Sequence, residues 1–117
     1  MKTFYEFMSN LNNIGDSDNF DLNTWFKTTP KEGHKYPLLF CKDNLHMSVQ
    51  VGADYYCEPR KNNASYYTKV EIGGISSPES DLMPYRESMT DNDSEAIYAY
   101  VPIEIVEKII KKHGGPK

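Results

Sequence analysis

From His46 to Val51 apolar and polar residues alternate without a break, with Met47, Val49 and Val51 set against His46, Ser48 and Gln50. Only a strand sends successive side chains to opposite faces, so this run is half-buried β-structure resting one face on a core. Tyr66–Ile72 repeats the pattern, with Tyr66, Thr68, Val70 and Ile72 facing in and Tyr67, Lys69 and Glu71 facing out. Before the first run lies the short apolar segment Tyr36–Cys41 and the turn pair Asp43-Asn44, which together make a β-hairpin. A further strand over Ile97–Val101 is expected to carry Tyr98 and Tyr100 on the outer face.

Helical periodicity flanks these strands. Thr3 and Glu6 form a capping box, and Phe4, Phe7, Met8 and Leu11 recur at helical spacing, which predicts a helix over Phe4–Asn13 ended by Gly15. Asp21 is placed to cap a short helix through Leu22, Trp25 and Phe26, with Phe20 stapled onto Trp25 and with Pro30 and Gly33 beyond its end. Pro102 suits a helix start, and Ile103, Val106, Ile109 and Ile110 give the last helix its apolar stripe. Glu104–Lys108 and Glu107–Lys111 are favourable i,i+4 pairs, and Gly114 supplies the stop. The expected architecture is α+β: a small, mainly antiparallel sheet of about four strands with N-terminal and C-terminal helices on one face. A length of 117 residues suits one domain spanning 1–117.

Composition narrows the function. The chain is 38% hydrophobic and 13% aromatic, enough for a core, and its net charge of -4 offers no general field for nucleic acid or an anionic membrane. Glu6 interrupts what would be the apolar heart of a signal peptide, and no run reaches the length of a membrane span, so the expected location is cytoplasmic. Cys41 and Cys57 are then expected as free thiols, buried or half-buried. Glu79, Asp81, Glu87, Asp91, Asp93 and Glu95 make residues 79–95 an acidic loop, read as solvated surface or as an imitation of nucleic acid that fills a basic groove.

The stretches Ser48-Val49-Gln50-Val51, Tyr67-Thr68-Lys69-Val70-Glu71, Leu82-Met83-Pro84-Tyr85 and Tyr98-Ala99-Tyr100-Val101-Pro102, with His113-Gly114-Gly115, resemble uncharacterised small accessory proteins carried by bacteriophages and prophages. The resemblance covers roughly the last two-thirds of the chain, and leaves out the first helix and the Trp25 segment. It implies a bacterial or viral cytosol and an accessory role, and it brings no catalytic or binding residue with it.

No assembled catalytic set stands out. A turn centred on Asp43-Asn44 would set Cys41 opposite His46, a geometry suited to a thiolate–imidazole pair. Nothing beside them would stabilise an oxyanion, and a buried cysteine facing a wet histidine is the commoner arrangement. His34, Cys41, His46 and Cys57 lack the paired spacing of a zinc site, and Gly73-Gly74 and Gly114-Gly115 are not phosphate cradles, so neither metal nor cofactor is expected. The candidate binding surface is the outer sheet face: His46, Ser48, Gln50, Tyr67, Lys69, Glu71, Tyr98 and Tyr100. Such a face is often merely wet, yet rigid tyrosines among polar groups also compose protein-binding surfaces. The leading reading is a non-enzymatic protein-binding or regulatory module whose partner is a host or phage protein. The alternative is a small-molecule-binding protein or small enzyme with a pocket near Cys41, His46 and Tyr56; edge pairing into a homodimer is a third arrangement.

Overall fold

The computed structural model describes residues 20–87 and 95–117. The helix expected over Phe4–Asn13 and residues 88–94 of the acidic loop lie outside them. The chain forms a small α+β fold: helix α1 (Leu22–Thr28), strands β1 (Leu39–Phe40), β2 (His46–Gln50) and β3 (Lys69–Gly73), a 3-10 helix (Ser80–Tyr85), strand β4 (Ile97–Pro102) and helix α2 (Ile103–Lys112). The four strands make one antiparallel sheet in the order β1-β2-β3-β4.

Local chemistry explains most elements. Asp21 caps α1 as its composition suggested, its carboxylate accepting from the Asn23 N–H at 3.1 Å and from the Thr24 hydroxyl at 2.9 Å. Trp25 packs against Phe26 and Tyr36, each at 5.6 Å between ring centroids. On β2, Met47 and Val49 are buried, and on β3 so are Val70 and Ile72, as alternation requires. All four residues of the α2 stripe are buried. The polar side of α2 also reaches other elements: Lys108 stands 3.7 Å from Asp81, and the Glu107 carboxylate accepts the Leu22 N–H at 2.9 Å, tying the start of α1 to α2. Burial pushes the Glu107 carboxyl up, against the lowering effect of that bond.

Two side chains stand in for missing backbone pairing. Asn23, buried, donates from Nδ2 to the Tyr67 carbonyl at 3.0 Å and accepts the Tyr67 N–H at 2.8 Å. Gln50 does the same for Tyr36, accepting its N–H at 2.8 Å and donating to its carbonyl at 2.9 Å. Each clamp satisfies a donor and an acceptor that burial would otherwise leave without water.

Both outer strands carry a covering segment. Beside β4, Glu87 N–H donates to the Ile97 carbonyl at 2.8 Å, and Arg86 bridges Tyr98. Beside β1, the segment after α2 turns back through Gly114 and Gly115, at φ +92° and +89°, and runs along the edge. There Lys42 N–H donates to the Gly115 carbonyl at 2.9 Å, and Lys117 N–H to the Phe40 carbonyl at 2.7 Å, with Cys41 and Pro116 bridged between them. Two such bonds contribute about 2 kcal/mol net. Ordering four residues costs about 4–8 kcal/mol of backbone entropy. The segment therefore depends on side-chain anchors: the burial of Pro116, and the contacts at its root around His113. No helix among the described residues is long and apolar enough to cross a membrane.

Candidate functional site

The outer sheet face is built differently from the strict alternation expected of it. Between β3 and β4, Val70 pairs with Val101 and Ile72 with Tyr98, so Glu71 alone opposes both Ala99 and Tyr100. This is a β-bulge, and the extra residue shifts the parity of β4. Tyr98 consequently turns inward and is fully buried, whereas Tyr100 stays 41% exposed at φ +54°. Tyr67 is also buried: it lies just before β3, its ring packs edge-on to Phe26 at 5.9 Å, and its hydroxyl donates to the Lys61 carbonyl at 2.6 Å. Tyr66, assigned inward by alternation, is instead exposed, because the ladder starts only at Lys69. Gln50 is buried by its clamp on Tyr36. Of the eight outer-face residues, Gln50, Tyr67 and Tyr98 thus leave the accessible surface.

The others stay together. His46 is half-buried, its ring stacked on Phe40 at 4.9 Å; Ser48 accepts from Gln50 Nε2 at 2.9 Å; Lys69 stands 3.8 Å from Glu58. Around Ser48 and Glu71 the face sinks into an open groove of about 360 Å³. Small residues, Ser48, Gly73 and Gly74, line it together with Leu38, Tyr55 and Ile97. The Tyr55 hydroxyl donates to the His34 carbonyl at 3.3 Å, joining the two loops that flank the groove.

Tyr56 extends this surface, and nothing in the period of the sequence marked it as part of the face. Its N–H donates to Glu71 Oε1 at 2.9 Å, and its carbonyl accepts the Tyr100 N–H at 3.1 Å. The Tyr56 and Tyr100 rings lie 5.8 Å apart, and the Arg60 guanidinium sits 5.2 Å over the Tyr56 ring. Both tyrosines are exposed, yet each is fixed through its own backbone. Of this cluster, the sequence reading places Tyr100 on the outer face and names Tyr56 for the alternative pocket near Cys41 and His46.

The cysteine–histidine pair does not form. The hairpin turn is centred on Asp43 rather than between Asp43 and Asn44, because Asn44 takes φ +78° and lengthens the loop to three residues. Cys41 then bonds to Leu45, and His46 stands opposite Phe40. Cys41 is fully buried; burial first, then the charges of Asp43 and Glu79, push its thiol up to about 11. Cys41 is expected to resist iodoacetamide at neutral pH in the folded protein and to react on unfolding, a contrast read by mass spectrometry. Rapid labelling of the native protein would contradict its burial. Cys57 is also buried, its thiol donating to the Gly52 carbonyl at 3.2 Å.

Part of the acidic loop is tied down rather than solvated. Glu79 is buried and holds Lys112 Nζ at 2.7 Å and His113 Nε2 at 2.8 Å. Among the described residues, no three His, Cys, Asp or Glu side chains gather as a metal-ligand group. In comparison with known proteins, no family model, no curated protein and no solved structure matches this chain.

Proposed function

We propose that the protein is a non-enzymatic binding module that engages another protein through the outer sheet face, from the groove around Ser48 and Glu71 to the Tyr56–Tyr100–Arg60 cluster. The observation that carries this reading is Tyr100. A bulky residue at positive φ costs about 1–3 kcal/mol, and such strain persists only where the surroundings impose it. Here the bulge spends that energy on keeping an aromatic ring at the surface, beside a second tyrosine and an arginine. Tyrosine and arginine are the residues that dominate binding energy at protein interfaces, and rings fixed in advance lose little entropy on contact. The adjoining groove supplies relief for a partner's side chain, and Glu71 supplies an acceptor within it. The resemblance to phage and prophage accessory proteins makes a bacterial host or phage protein the expected partner.

The test replaces Tyr56 by alanine and Tyr100 by asparagine, a residue that tolerates positive φ. The double variant is expected to keep the wild-type melting temperature within about 3 °C, since both rings are surface groups. It is expected to bind a partner captured from bacterial lysate about 30-fold or more weakly. Equal capture by a folded double variant would remove this surface from the function.

A further inference from the structure

We propose that His113 is a proton-operated latch that fixes Gly114–Lys117 as a strap along the β1 edge, and that loss of its proton frees the strap and uncovers that edge. The geometry at the strap's root is unusual for a histidine. Nδ1 lies 2.5 Å from Asp43 Oδ2, in the β1–β2 turn, and Nε2 lies 2.8 Å from Glu79 Oε2, just before the 3-10 helix. A neutral imidazole has one N–H and one lone pair, so it can donate to one carboxylate only. Only the imidazolium donates to both. Once the proton leaves, a ring lone pair faces a carboxylate oxygen, and one of the two contacts must open.

Around the ring, the neighbouring cations among the described residues have their own positions. Lys112 is engaged with the other Glu79 oxygen at 2.7 Å, Lys108 lies 3.7 Å from Asp81, and Lys117 bonds to Asn44. Lys111 is exposed on the same helical turn, Lys42 flanks Gly114, and the Cys41 thiol is neutral. Along the edge the strap's backbone is held by the Lys42 and Lys117 amide bonds, with Pro116 buried and the Lys117 ammonium on Asn44, and its root is a pair of glycines at positive φ.

The sign of the pH effect follows from the three groups. Burial would lower His113, but its hydrogen bonds to Asp43 and Glu79 outweigh that and raise it above 6.5. A raised histidine stabilises fully below its unfolded value, and that contribution fades as pH rises through the folded value. Asp43 is lowered, chiefly by the hydrogen bond from His113; Glu79 is lowered because Lys112 and His113 overcome its burial. Their contributions hold above the ordinary values of 3.8 and 4.5 and are lost as pH falls through the lowered ones. The latch is therefore closed between about 4.5 and 6.5 and opens on the alkaline side as His113 titrates.

The test follows two signals by NMR across pH 5 to about 9, the His113 ring titration and the solvent-exchange protection of the Lys42 and Lys117 amides, corrected for intrinsic exchange. His113 is expected to titrate above 6.5, with strap-amide protection falling about tenfold over the same range. Protection of Val49 and Val70, in the sheet interior, should stay level. Asp43→Asn should move both midpoints down together, by about one pH unit. A midpoint at or below 6.5, strap protection flat through the titration, or a shift of one signal without the other would each overturn the latch. The wild-type measurement decides the matter even if the variant folds poorly.

Discussion

Replacing Asn23 by leucine is expected to remove about 2–6 kcal/mol of stability, although the two side chains have nearly the same shape. The loss has a definite source. Both polar ends of the Asn23 carboxamide are used on the backbone of Tyr67, and the side chain is buried. Leucine leaves that N–H and carbonyl facing an apolar group, and each stranded group costs about 1–3 kcal/mol. Against a typical total of about 5–15 kcal/mol, this is a large fraction. Urea unfolding followed by tryptophan fluorescence reads it as a lower midpoint with an unchanged slope, and Trp25 of the same helix serves as the reporter. A change below about 1 kcal/mol would mean that the clamp is dispensable. Asn23→Asp should fall between, because the carboxylate still accepts the Tyr67 N–H but cannot donate to its carbonyl.

Two tyrosines only two positions apart are expected to respond in opposite ways. Tyr98→Ala should cost about 3–5 kcal/mol, the loss of a fully buried aromatic side chain and the cavity it leaves. Tyr100→Asn should leave stability unchanged or raise it slightly, because the residue relieved of its ring also suits positive φ. Thermal unfolding separates these outcomes by many degrees in a chain of this size. In an unbroken strand the two positions would share a face and behave alike, so equal effects would show that the bulge is misplaced. The same contrast bears on function: a variant lacking Tyr67 or Tyr98 loses its core, and any loss of binding it shows reports unfolding. Tyr56 and Tyr100 are the positions where binding and stability part.

Much of this fold is written locally. The Asp21 cap, the α2 stripe ending at Gly114 and the inward set Met47, Val49, Val70 and Ile72 each follow from groups within a few residues of one another, and each stands in the structure as the period implies. The errors arose where a residue count, rather than a residue type, decides the face. One extra residue in the hairpin turn moved His46 from Cys41 to Phe40, and one extra residue in β4 sent Tyr98 into the core. Neither place carries a glycine to mark it: Asn44 and Tyr100 take positive φ instead.

The sequence by itself determined which segments become strands and helices and which side chains they offer a core, because those choices depend on periodicity and on short-range caps. Tertiary structure alone decided how the pieces register. Asn23 reaches Tyr67 and Gln50 reaches Tyr36 to satisfy backbone groups distant in the chain, and His113 meets Asp43 and Glu79 from three separate segments. Tyr56, read from the sequence only as a neighbour of a pocket near Cys41 and His46, joins Glu71 and Tyr100 because a loop folds back onto the sheet. Hydrogen bonds and charges between remote residues depend on distance in space, and a linear pattern carries no record of it.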